Sequence, residues 1–167
     1  MMTKTARLRV LPLAVALCAA LGVGACTNDK DLADASGFGA GASSPGSAQD
    51  FVVNVGDRVF FESDSTDLTA TATATLDKQA QWLQRYPRYT FLIEGHADER
   101  GTREYNFSLG ARRAQSVNDY LASRGIAAGR IRTVSYGKER PVAVCNDISC
   151  WSQNRRAVTV LDRGAGS

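Results

Sequence analysis

The chain is 167 residues long, with 20 Lys and Arg against 17 Asp and Glu, a formal net charge of +3 at pH 7. Three of the basic residues, Lys4, Arg7 and Arg9, lie at the extreme N-terminus, so the remainder carries 17 of each sign, which argues against charge-driven nucleic-acid binding. No basic patch interleaved with aromatic residues appears, and a single histidine leaves little material for a metal or acid–base centre.

Met1–Ala25 reads as a targeting segment: a basic start without acidic residues, then the apolar stretch Val10–Gly24. That stretch is too short and too rich in small residues to make a comfortable membrane span. It ends Leu21-Gly-Val-Gly-Ala-Cys26, which resembles the lipobox of bacterial lipoproteins. The resemblance implies cleavage before Cys26, a diacylglycerol thioether on its sulfur and an acylated amine, enough chains for firm anchoring. Cys18 follows Leu17, a poor fit to that pattern, and reads as an ordinary residue of the apolar stretch. Thr27 stands where some lipoproteins carry the Asp that retains them on the inner membrane, so the expected destination is the outer membrane, with the domain facing the periplasm.

Residues 26–50 are rich in Gly, Ala and Ser, with only Leu32 and Phe38 as large apolar residues, and read as a flexible tether. Stretched, it would reach at most about 85 Å; as a relaxed coil, about 25–30 Å. Residues 51–163 are enough for one domain core, and 164–167 are expected to form a disordered tail.

Within the domain, Phe51–Val55 and Arg58–Glu62 are strand-like and separated by a Gly56-Asp57 turn. Thr69–Tyr86 opens with an alternating Ala-Thr run. Its length and the series Leu68, Leu76, Leu83, with Ala72 and Ala80 between, favour a helix stopped by Pro87. Thr90–Ala97 reads as a buried strand, Glu104–Arg124 as a second helix closed by Gly125, and Arg130–Tyr136 as a further strand. Trp151–Arg155 reads as a helical turn and Ala157–Asp162 as a last strand. Alternating strands and helices predict an α+β domain, a sheet covered on one face by two main helices.

Gly95–Val117 organises the domain. On a helical wheel Asn106, Leu109, Arg113, Val117 and Tyr120 form one stripe, so Arg113 lies on the face turned to the core. A guanidinium there needs a carboxylate partner or a ligand. Asp98, in the Gly-flanked turn before the helix, is the nearest candidate. Two readings stand at this point: an internal Asp98–Arg113 ion pair fixing the turn, or a zwitterion site in which Asp98 takes an ammonium and Arg113 a carboxylate. His96 reads as a satisfied turn histidine, since no nucleophile, second histidine or metal set accompanies it; no catalytic residue and no metal site are expected. Cys145 and Cys150 enclose Asn-Asp-Ile-Ser, and in an exported domain a local disulfide shaping the loop is expected.

The run G-H-A-D-E-R-G-T (Gly95–Thr102), then Y-N-F-S-L-G-A-R-R-A-Q-S-V (Tyr105–Val117), with Val134–Pro141 and Ser152–Val158, closely resembles the OmpA-like peptidoglycan-binding domain, in the lipid-anchored branch serving the Tol–Pal envelope system. The resemblance covers the folded domain nearly end to end and implies a βαβαββ sandwich with a mixed sheet. Asn106, Leu109, Gly110, Arg113, Ala114 and Val117 fall on the family motif, Gly110 replacing a Ser. It implies that Asp98 and Arg113 clasp meso-diaminopimelate of the wall's stem peptide. Asp64 matches a further contact, although Ser63 replaces the usual aromatic beside it. Asn106 belongs to the same set, Leu109 is expected beside the ligand's aliphatic chain or, as naturally, in the core, and Arg100 near the ligand's peptide backbone. Glu139, Arg140, Asn154 and Arg155 read equally as solvated polar residues or as contacts to protein partners. The implied partners are peptidoglycan, the TolB propeller and TolA, with no cofactor; the implied function is a non-enzymatic link between outer membrane and wall in envelope integrity and cell division. The alternatives are a wall-acting enzyme that holds substrate in the same pocket and a purely structural lipoprotein with the internal Asp98–Arg113 pair.

Overall fold

Strands β1 (Arg58–Phe60), β2 (Phe91–His96), β3 (Ile131–Gly137) and β4 (Arg156–Leu161) form one sheet in the order β1-β4-β2-β3. The computed structural model describes residues 44–162. The leader Met1–Ala25 with Cys26, most of the tether and the tail 164–167 lie outside them. β4 runs antiparallel to both its neighbours, whereas β2 and β3 are parallel. Two parallel neighbours need a crossover, and helix α3 (Arg103–Ser123) supplies it.

Helix α2 (Ala70–Arg85) starts where Thr69 Oγ1 accepts from the Ala72 N–H at 3.1 Å and ends just before Pro87, which cannot continue it. The alternating Ala-Thr run is thus its first turns. Leu76, Gln79, Ala80 and Leu83 recur at helical spacing and are buried against the sheet. Gln79 would be stranded there without partners, and it has two: its amide donates to the Gly56 carbonyl at 2.7 Å, and its Oε1 accepts from Thr159 of β4 at 2.9 Å. α3 buries Ala114, Val117 and Leu121 beside α2, over Phe91 and Ile93 of β2. The α+β class, the mixed sheet and the two main helices on one face are as the residues predict.

α3 comes very close to β2. A Cβ on Gly95 would lie 1.9 Å from the Gly110 carbonyl oxygen, and one on Gly110 would lie 2.4 Å from Ser135 Oγ. Only glycine at both places lets the helix seat at this depth, which carries Arg113 to the end of β2.

The expected strand Phe51–Val55 is not one. A short helix, α1 (Ala48–Asp50), capped by Ser47, runs into a wider π turn over Phe51–Gly56. The β-branched run suggested a strand, but Val52 and Val53 are exposed, and Phe51 and Val55 share a face four residues apart, as a helix requires. Phe51 packs on Trp82 with ring centres 4.9 Å apart. The Asp50 carboxylate accepts from Trp82 Nε1 at 2.8 Å and from the Gly46 N–H at 2.9 Å. The last residues assigned to the tether, 44–50, therefore fold with the domain.

Candidate ligand-binding site

The site lies where the C-terminal end of β2 meets the start of α3. Gly101, at φ +85, turns the chain, and Thr102 caps α3 by accepting from the Tyr105 N–H at 3.2 Å. Lys138 Nζ braces the turn by donating to the carbonyls of Glu99 at 3.2 Å and Gly101 at 2.7 Å. Asn106, 2% exposed, donates to the Arg100 carbonyl at 2.6 Å. Asn106 is thus a strut of the turn as well as part of the cleft wall.

Arg113 is fully buried. Its Nε donates to the Ser65 carbonyl at 2.9 Å, Nη1 to the His96 carbonyl at 2.8 Å and Nη2 to the Glu62 carbonyl at 3.1 Å. Phe61 lies under the guanidinium, 5.2 Å from ring centre to carbon. Burial lowers its pKa to about 10, which still leaves it charged at neutral pH. No carboxylate among the described residues forms an ion pair with it.

Of the two readings left open, the internal Asp98–Arg113 ion pair is not the one found. Asp98 Oδ1 accepts from the main-chain N–H and Nε of Arg100, both at 3.1 Å. Its Oδ2 accepts from Arg100 Nη2 at 2.6 Å and Arg155 Nη1 at 3.4 Å. Burial pushes the Asp98 carboxyl up, but the hydrogen bonds and charge of Arg100, helped by Arg155, more than offset this and hold it below the usual range. Its charge still favours the protonated form of Arg113.

Asp64, Asp98, Arg100, Asn106 and Leu109 line one cleft of about 220 Å³, together with Ser63, Gly101 and Tyr105, whereas Arg113, fully buried, does not line it. Asp64 adopts a left-handed backbone at φ +57 and accepts a hydrogen bond from the Tyr105 hydroxyl. Leu109 is both core and cleft wall. A larger groove of about 590 Å³ lies on the far side of the start of α3, lined in part by Arg103, Phe107, Tyr136 and Glu139, and holds none of these residues.

Several residues differ from their expected roles. Arg155 is 5% exposed and donates from Nε to the Phe61 carbonyl at 3.0 Å, so it is part of the site rather than solvated. Antiparallel pairing puts the start of β4 beside the end of β2, a placement that no local pattern around Arg155 signals. Asn154 is also buried: its Oδ1 accepts from the main chain of Val142 and Ala143, and its amide donates to the Ala143 carbonyl at 2.8 Å. Glu139 is exposed and paired with Arg103, and Arg140 is exposed over the Tyr136 ring. Tyr105 lies one residue off the buried stripe of α3, and nothing in the pattern singled it out.

His96 is not a satisfied turn residue. It closes β2, 1% exposed, with neither ring nitrogen hydrogen-bonded to the described residues; Glu94 Oε2 stands 3.6 Å away. Burial, with the charges of Arg156 and Arg140, lowers its pKa to about 4. Its carbonyl, rather than its ring, serves the site.

Helix α4 (Ile148–Asn154) follows Asp147, whose side chain caps it, and a disulfide joins Cys145 to Cys150 with Cα atoms 5.7 Å apart. Trp151 of α4 donates from Nε1 to Glu99 Oε1 at 2.8 Å, and the Arg100 guanidinium lies 4.3 Å from its ring centre. Among the described residues there is no grouping of His, Cys, Asp and Glu suited to a metal, and no helix long and apolar enough to cross a membrane.

A model of the OmpA family matches residues 60–155, a span that includes every residue of the cleft and Arg155. The chain belongs to the OmpA family. Within that family it is similar to the peptidoglycan-associated lipoproteins. That of Rhizobium meliloti (strain 1021) is 64% identical over 159 residues, 93% of this chain and 90% of its own. That of Haemophilus influenzae is 41% identical over 134 residues, 80% of this chain and 86% of its own. The crystal structure of the peptidoglycan-associated lipoprotein from Burkholderia pseudomallei aligns with a TM-score of 0.66 at 37% identity, covering 70% of this chain and all (100%) of that one. The C-terminal domain of Helicobacter pylori MotB, at 22% identity and a TM-score of 0.61 over 65% of this chain and 86% of its own, shares the OmpA-like fold.

Proposed function

We propose that this chain is an outer-membrane lipoprotein, anchored at Cys26, that grips peptidoglycan without a covalent bond. Asp98 takes the ammonium, and Arg113 the carboxylate, at the free end of a diaminopimelate side chain. The observation that carries this reading is the state of Arg113: a fully buried guanidinium with three main-chain carbonyls as partners and no carboxylate. Buried charges are ordinarily paired. Nη1 and Nη2 each carry a second hydrogen beyond these bonds, which suits a bidentate carboxylate. Arg100 and Arg155 hydrogen-bond the buried carboxylate of Asp98, and Arg113 feels the charges of Asp98 and Asp64, so three guanidinium groups stand against two carboxylates and the site is one anion short. The names of the relatives agree with a wall ligand.

On this reading the protein is a binder rather than an enzyme and joins the outer membrane to the wall mechanically. TolB and TolA are its proposed partners within the Tol–Pal system during envelope constriction and cell division, from the resemblance of the Gly95–Val117 region.

The test is co-sedimentation of the full-length chain, in mild detergent, with purified sacculi. Wild type should pellet, while Asp98→Ala and Arg113→Lys, each shown folded by circular dichroism, should stay in solution. Equal pelleting of all three would sink the clasp. Release of soluble wall fragments would point to an enzyme instead.

A further inference from the structure

A carboxylate offers about four lone-pair positions, and Asp98 already has four donors. The ammonium that the proposed clasp needs finds no free acceptor there until a donor leaves. Arg155 is poorly placed to leave, because it is buried and its Nε is bonded to the Phe61 carbonyl. The main-chain N–H of Arg100 is set by the turn. The Arg100 side chain is the one that can move: it is 43% exposed, whereas that of Asp98 is 8% exposed.

The Arg100 guanidinium is held over Asp98 from two further sides. Nη2 also donates to Ser63 Oγ at 2.8 Å, across the cleft, and the Trp151 ring backs the group at 4.3 Å. Trp151 is itself fixed by its hydrogen bond to Glu99 and by α4, which the disulfide holds at one end and the Asn154 hydrogen bonds at the other.

We propose, resting on the reading of the cleft as a zwitterion clasp, that Arg100 is a resident competitor for Asp98, held in place by Trp151. It sets the affinity and selectivity of the cleft, because a ligand gains Asp98 only by putting a cation where the guanidinium lies. A carboxylate without an ammonium leaves the latch closed. Ser63 contributes the far catch, and α4 sets how firmly the latch is held.

The test is calorimetric titration of the full-length chain in detergent with meso-diaminopimelate. Arg100→Ala and Trp151→Ala should each bind about two- to fivefold more tightly than wild type, the scale of a partly exposed ion pair. The double variant should bind no more tightly than Arg100→Ala, because the tryptophan acts through the arginine. Trp151→Phe, which keeps a ring but loses the bond to Glu99, should fall between wild type and Arg100→Ala, and it covers the case in which Trp151→Ala fails to fold. Binding by wild type with equal or weaker binding by Arg100→Ala overturns the latch and leaves the clasp standing. No binding by either protein overturns the clasp, and the latch with it.

Discussion

Arg113 Nη1 donates to the main-chain carbonyl of His96 at 2.8 Å, so the middle of α3 is tied directly to the last residue of β2. The same guanidinium holds the carbonyls of Glu62 and Ser65, in the loop that carries Asp64. One side chain thus joins a strand end, a loop and a helix, and the cleft forms among them.

Arg113→Ala should therefore cost stability as well as binding. Three carbonyls lose their donor inside the protein, at about 1–3 kcal/mol for each one that water does not reach. The expected loss is about 3 kcal/mol in urea denaturation, with no wall binding left. Arg113→Lys should keep more of the stability but still lose the ligand, since an ammonium lacks the planar fork. Wall binding at wild-type strength by a folded Arg113→Lys would contradict the role given to the guanidinium.

His96 makes stability depend on pH. Its pKa falls from 6.5 to about 4 on folding, so the unfolded chain binds the extra proton throughout that window and the native state does not. Its contribution is complete above about 6.5, is lost as pH falls toward 4, and amounts to at most about 3 kcal/mol. Asp98, whose pKa is also lowered, loses its contribution at still lower pH, as it protonates. Urea midpoints measured from pH 7 down to pH 4 should drop for wild type and stay flatter for His96→Phe. Parallel curves for the two proteins would show that the ring does not titrate in this window.

Gly95→Ala should unseat α3. The new methyl would lie 1.9 Å from the Gly110 carbonyl oxygen, and main chain cannot turn aside as a flexible side chain can. A destabilisation of about 1–3 kcal/mol is expected for such overpacking, together with loss of binding as Arg113 is lifted from the end of β2. Thermal melting and sacculus co-sedimentation on the same preparation would report both.

Replacing Cys145 and Cys150 together with Ser should lower stability by roughly 2 kcal/mol, the chain-entropy value for so short a loop. The larger change is expected at Trp151, whose fluorescence should shift as α4 loosens and the ring leaves Glu99 and Arg100. Spectra compared in a Trp82→Phe background would isolate it; an unchanged spectrum would mean that Asn154 alone holds α4.

Most elements were legible because one periodicity dominated each. Leu76, Gln79, Ala80 and Leu83 recur at helical spacing, and Phe91 and Ile93 alternate as a buried strand should. Phe51–Val55 misled because its β-branched residues suit a strand, whereas the helical turn there follows from Phe51 and Val55 packing against the core and from Trp82 meeting Asp50. His96 and Arg155 misled for a related reason: whether a polar residue is buried depends on which strands lie beside it.

The sequence by itself determined the α+β class, the order of the main elements, the family, and the fact that a buried arginine faces an acidic turn. These rest on local spacing and residue type, which the linear chain carries in full. Only the tertiary structure decided which arginine holds Asp98. Arg100, Arg113 and Arg155 all lie within reach of the turn, and the choice among them depends on angstrom-scale positions. Those positions are set by the depth of α3 at Gly95 and Gly110 and by the antiparallel start of β4. Arg113 reaches three carbonyls there, while Arg100 and Arg155 take the carboxylate.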